Sequence, residues 1–123
     1  ILPGSGLALY NLHKHYFVKA EIEKTSTKKI AYAILAAALV SPLAQILENA
    51  GLHVDDIYHS EVKMWGYGYD VKQEKYGQLI KLGVIDPVKV TRSALENAVS
   101  VATTILSTNA IVTMARSYET TNG

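Results

Sequence analysis

The chain has 123 residues, 49% apolar and 19% charged, with a formal net charge of +1. That is enough for one domain with a modest core, and it fits neither a basic nucleic-acid binder nor an acidic disordered tail. No cysteine is present, which excludes disulfides, thiolate catalysis and Cys-ligated zinc.

Ile1 in place of Met, followed by Leu2-Pro3-Gly4, reads as the interior of a longer chain with no secretory leader. Gly4-Ser5-Gly6 is a turn that opens a helix running to about Lys19, and 21–28 is a charged connection. Residues 30–40 are apolar all round and rich in alanine, the pattern of a helix buried by its neighbours. The run is too short for the roughly 20 residues that span a bilayer, so a soluble chain with no membrane partner is expected. Ser41-Pro42 predicts a helix boundary, with Ser41 as N-cap and Pro42 in the first turn of a second helix that stops near Gly51.

A short helix is expected over 53–63, with Val54, Ile57 and Val62 facing inward. Alternation of Trp65, Tyr67 and Tyr69 with glycines over 64–70 suggests an extended piece or hairpin arm. Another short helix is read over 73–82, stopped by Gly83. Asp86-Pro87 then signals the start of the clearest amphipathic helix, ending near Asn109. Its face carrying Val90, Ala94, Ala98, Val101 and Ile105 is expected to pack on the 30–40 helix. Residues 110–113 are β-prone and 117–123 read as frayed.

His53, Asp55, Asp56 and His59 form the nearest approach to a metal site, but a polar helix face is usually solvated, and no metal is expected there. Trp65, Tyr67 and Tyr69 have no basic groove beside them, so packing rather than base stacking is expected, with no nucleic-acid partner.

Four segments carry a family resemblance. Residues 76–95, with Tyr76-Gly77, then Gly83-Val84-Ile85-Asp86-Pro87 and Lys89-Val90-Thr91-Arg92-Ser93-Ala94-Leu95, resemble a signature of the group I (GroEL-like) chaperonins. Pro3-Gly4-Ser5-Gly6-Leu7-Ala8-Leu9 is similar to that family's glycine turn, and residues 42–51 to its Pro-x-x-x-Ile-x-x-Asn-Ala-Gly helix. Gly68-Tyr69-Asp70 corresponds to its Gly-Tyr-Asn/Asp. All four occur in the family's order, over about 2–113.

The resemblance implies a mainly α fold, a multi-helical half of the chaperonin equatorial domain with short β segments. It assigns 1–113 to the C-terminal half of that domain and 114–123 to a flexible tail. It implies a fragment of an ATP-dependent ring chaperonin that assists protein folding. Ring-forming sister subunits, unfolded protein clients and a co-chaperonin would be its partners. The location would be cytoplasmic in a bacterium, or the mitochondrial matrix or plastid in a eukaryote.

By the same resemblance Gly4, Ser5 and Gly6 approach the nucleotide through backbone N–H groups. Ser5 stands where the family has glycine. Asp86 matches an acceptor for the ribose hydroxyls, although Asp-Pro by itself reads as a helix cap, and both roles are open. Asp70, Val71 and Val84 match the adenine side, with Val84 equally readable as ordinary core. The family's Gly-Asp-Gly-Thr-Thr phosphate loop and its catalytic aspartate are not among these residues. The ligands of Mg²⁺ are therefore expected elsewhere in a longer chain, and these residues alone are expected to be inactive towards ATP. The alternative reading is a helical interaction module of the same fold that has lost nucleotide binding.

Overall fold

The structure is a computed structural model that describes residues 1–59 and 64–122, apart from the side chains of Ala110 and of 118–122. It is mainly α, in the order β1 (Leu2–Pro3), α1 (Leu7–Ile22), α2 (Ser26–Asn49), α3 (Val54–Ile57), β2 (Tyr67–Asp70), β3 (Lys75–Gln78), β4 (Ile85–Asp86) and α4 (Val88–Asn122). Two compact units are present, Ile1–Asp86 and a second beginning at Pro87.

In the first unit α1 and α2 form a helical hairpin joined by only three residues. At the joint the Glu23 carboxylate accepts a hydrogen bond from the Thr25 backbone N–H. Along the hairpin, His13 Nδ1 lies 2.7 Å from the Ala36 carbonyl oxygen. Lys19 sits 5.8 Å from the ring centroids of both Tyr16 and Tyr32, one tyrosine from each helix.

The expected boundary at Ser41-Pro42 is not found: α2 is one helix with Pro42 inside it. An interior proline costs about 3 kcal/mol because the Ala38 carbonyl loses its N–H partner and the ring crowds that turn. The gain on the other side is larger. Ala36, Leu39, Leu43 and Leu47 recur at helical spacing straight through the proline, and all four are buried. Three buried leucines contribute roughly 5–9 kcal/mol, so burial of the stripe outweighs the break. The helix ends as the sequence predicts: Leu52 N–H bonds the Leu47 carbonyl and Gly51 N–H that of Glu48, a Schellman closure.

Leu7, Leu43, Leu47, Tyr58 and Leu79 form the core of this unit. Of the helix expected over 53–63, the described part is the single turn Val54–Ile57; Val62 lies outside the described residues. Of the helix expected over 73–82, residues 75–78 are instead strand β3 and the rest are turns. β2 and β3 pair antiparallel with Tyr67 opposite Gln78 and Asp70 opposite Lys75. Tyr76 stacks on Tyr67 and meets Tyr69 edge-on, and such cross-strand aromatic pairs stabilise a hairpin. What remains helical is one turn after β3, where Leu82 N–H bonds the Gln78 carbonyl, closed by Gly83.

In the second unit α4 continues past Asn109, through the β-prone 110–113 and along the segment expected as a tail, to Asn122. Thr103, Thr104, Thr108 and Thr113 each donate their hydroxyl to the carbonyl four residues back. That satisfies the hydroxyl within the helix, so threonine does not interrupt it. The face expected to be buried is exposed, with Val90, Val101 and Ile105 all more than half accessible. By length and composition alone, Ser26–Asn49 and Val88–Ser117 would each suffice to cross a membrane, unlike the shorter run read from sequence. The core helix of a water-soluble protein has the same composition.

Candidate functional site

β1 and β4 come from opposite ends of the first unit and pair antiparallel, with Leu2 opposite Asp86 and Pro3 opposite Ile85. The ladder continues one step further, because Gly4 N–H bonds the Val84 carbonyl at 2.9 Å. The 4–6 turn is thereby laid against the segment 84–86. Between this pair and the turn that closes the β2–β3 hairpin lies an open cleft of about 550 Å³.

Gly4, Ser5, Asp70, Val71, Val84 and Asp86 all line it. Six of the seven residues singled out in the sequence thus share one cleft. The seventh, Gly6, is not in the lining. It has φ +73° and lies so close to α2 that a Cβ would stand 2.7 Å from Leu43 N. Its place is structural: it lets the turn dock on the helix. Ser5 also adopts a left-handed backbone, φ 56°, a conformation that costs a side-chain-bearing residue about 1–2 kcal/mol.

Asp70 is 3% exposed, and its Oδ1 accepts hydrogen bonds from the N–H groups of Lys72 and Gln73 at 2.9 and 3.1 Å. This Asx-type arrangement starts the hairpin turn. Asp70 therefore shapes the cleft wall from within, a role the sequence reading did not assign. Asp86 differs. The helix-capping position is held by Pro87, whose carbonyl accepts from Val90 and Thr91 N–H. Among the described residues the Asp86 carboxylate has no hydrogen-bond or ion-pair partner, so the capping role is not observed.

Lys72, Gln73, Leu82, Gly83 and Ile85 complete the lining and were missed. Lys72 and Gln73 follow Val71 in the same turn, and a turn closed by Asp70 places its next residues on the same wall. Val71, Leu82 and Val84 give the cleft an apolar side. Asp70, Asp86 and Lys72 leave it with one net negative charge by formal count. Acceptors and an apolar wall suit the ribose and base of a nucleotide. At the start of α1 the N-cap Gly6 offers no side-chain cap, so the first N–H groups of the helix have no side-chain acceptor there.

A groove of about 580 Å³ on the α1–α2 hairpin is similar in size, but alanines, Phe17 and the edges of His13, Glu21 and Lys29 line it without converging polar groups. Among the described residues no group of three or more His, Cys, Asp or Glu is arranged to hold a metal ion. His53 Nδ1 and Asp55 Oδ2 are 3.9 Å apart and exposed.

The sequence profile of the TCP-1/cpn60 chaperonin family matches residues 1–116, and the chain belongs to that family. It is 40% identical over 116 residues to the alpha subunit of the chloroplastic RuBisCO large subunit-binding protein of Pisum sativum. The match covers 91% of this chain and 19% of that relative. The chain thus spans about a fifth of the length of the relative it matches.

Proposed function

We propose that this chain supplies one wall of an ATP-binding cleft in a ring chaperonin that assists protein folding. The reading is carried by the convergence on one cleft of the Gly4-Ser5 turn, the Asp70 turn and the Asp86 carboxylate, which has no partner among the described residues. The Asp86 oxygens would accept from the ribose hydroxyls, Val71 and Val84 would flank the base, and the N–H groups opening α1 would meet a phosphate. ATP supplies the free energy for the folding cycle when bound. Mg²⁺ and the γ-phosphate would be held by residues outside this chain. Sister subunits, unfolded clients and a co-chaperonin belong to the same proposal, as does a bacterial cytoplasmic or eukaryotic organellar location.

A second reading has one observation in its favour. Ser5 places a side chain in a left-handed turn on the cleft, where it would crowd a nucleotide in a scaffold that has given up binding. Titrating Mg-ATP into the full-length polypeptide that carries this chain separates the two. The proposal expects saturable binding and phosphate release, with no release from residues 1–123 alone. No binding by the full-length protein, with binding restored in Ser5→Gly, would establish the scaffold reading.

A further inference from the structure

Tyr58 does not line the cleft, yet it touches what holds both of its walls. The residue is 7% exposed and belongs to the core cluster. Burial pushes its pKa above the ordinary tyrosine value, so the hydroxyl is protonated at neutral pH. In an antiparallel pair, alternate N–H groups of a strand point away from its partner. On β2 the Tyr69 N–H does so, and the Tyr58 hydroxyl accepts it at 2.9 Å.

One residue earlier, β2 passes directly under the same hydroxyl. A Cβ on Gly68 would lie 2.7 Å from the Tyr58 oxygen and 2.9 Å from Leu7 Cδ2. One residue later comes Asp70, whose carboxylate organises the Lys72 and Gln73 wall. Leu7 is the first residue of α1, directly after the 4–6 turn. The neighbouring Ile57 carbonyl accepts from the Tyr76 hydroxyl at 2.7 Å, which ties the second hairpin strand to the same short segment.

We propose that Tyr58 is a positioning residue for the cleft: its hydroxyl and ring fix β2 against the start of α1 and so set the gap between the Asp70 turn and the Gly4-Ser5-Gly6 turn. The proposal rests on the nucleotide reading above. Tyr58→Phe keeps the ring and its packing but leaves the Tyr69 N–H without its acceptor, so strand and turn are free to shift.

The test compares wild type, Tyr58→Phe and Leu47→Val in the full-length polypeptide. Leu47→Val loosens the same core but leaves the hydrogen bond from Tyr69 N–H to Tyr58 in place. ATP affinity is measured by calorimetric titration, and amide hydrogen exchange is followed at Lys72 and Gln73. Tyr58→Phe should raise the Kd for ATP about tenfold, the scale of one unsatisfied buried donor, and speed exchange at both amides. Leu47→Val should leave affinity and exchange at those amides near wild type. Wild-type binding with an unchanged Kd in Tyr58→Phe overturns this proposal alone. Equal losses in both variants also overturn it, since they show general loosening of the core. A wild type that binds no ATP overturns the nucleotide reading and this proposal with it.

Discussion

Gly6→Ala should destabilise the protein by roughly 2–5 kcal/mol, a large share of the 5–15 kcal/mol typical of a domain. Two costs add. The left-handed backbone at φ +73° disfavours a Cβ by about 1–2 kcal/mol. The methyl would also stand 2.7 Å from Leu43 N and 3.0 Å from Leu43 Cα, atoms of a helix backbone that cannot move aside alone. Overpacking of this kind costs about 1–3 kcal/mol. Gly51→Ala is the control. Its φ is +75° but nothing lies within 4 Å of the added methyl, so it should show the backbone cost and no more. Denaturant unfolding followed by circular dichroism gives both values. Equal losses in the two variants would mean that α1 does not approach α2 as described.

Asp86→Ala should leave stability within about 0.5 kcal/mol of wild type, because among the described residues the carboxylate has no partner to lose. Its expected effect is on the ligand. Losing hydrogen bonds to a charged acceptor costs about 1–3 kcal/mol, a rise in the Kd for ATP of roughly fivefold to 150-fold. Asp86→Asn keeps one acceptor oxygen and should fall between. Calorimetric titration of the full-length protein measures the affinity, and a thermal melt the stability. A lowered melting temperature with unchanged affinity would return Asp86 to a structural role.

Much of the cleft was legible because short segments with distinctive side chains carry it. Gly4, Ser5, Asp70, Val71, Val84 and Asp86 were singled out from motif resemblance, and the fold gathers them through a β1–β4 pairing that no local pattern announces. The roles within the cleft were less legible. Asp-Pro reads as a helix cap, but the chain advances one residue and Pro87 takes the position, so Asp86 does not cap α4. Asp70 looks like a ligand acceptor, but its Oδ1 is engaged by the turn it starts.

The fold was misread where local preference and tertiary burial disagree. Pro42 predicts a break, and only the buried stripe of Leu39, Leu43 and Leu47 reveals why the helix continues. Residues 73–82 have a helical arrangement of apolar side chains, yet Tyr76 finds Tyr67 and Tyr69 across a strand pair. The length of α4 was underestimated because 110–113 read as β-prone, whereas the helix runs through it and the Thr113 hydroxyl bonds back to the Asn109 carbonyl. The face carrying Val90, Ala94, Ala98, Val101 and Ile105 was expected to be buried and is exposed: periodicity marks an apolar stripe but does not supply a cover for it.

Whether these residues contact a nucleotide is read out by photoaffinity labelling. The full-length protein would be labelled with 8-azido-ATP in the presence of Mg²⁺, digested, and the modified peptides sequenced. Label displaced by excess ATP is expected on the turn that holds Asp70, Val71, Lys72 and Gln73 or on the segment around Val84. ATP-displaceable label confined to peptides outside this chain would contradict it.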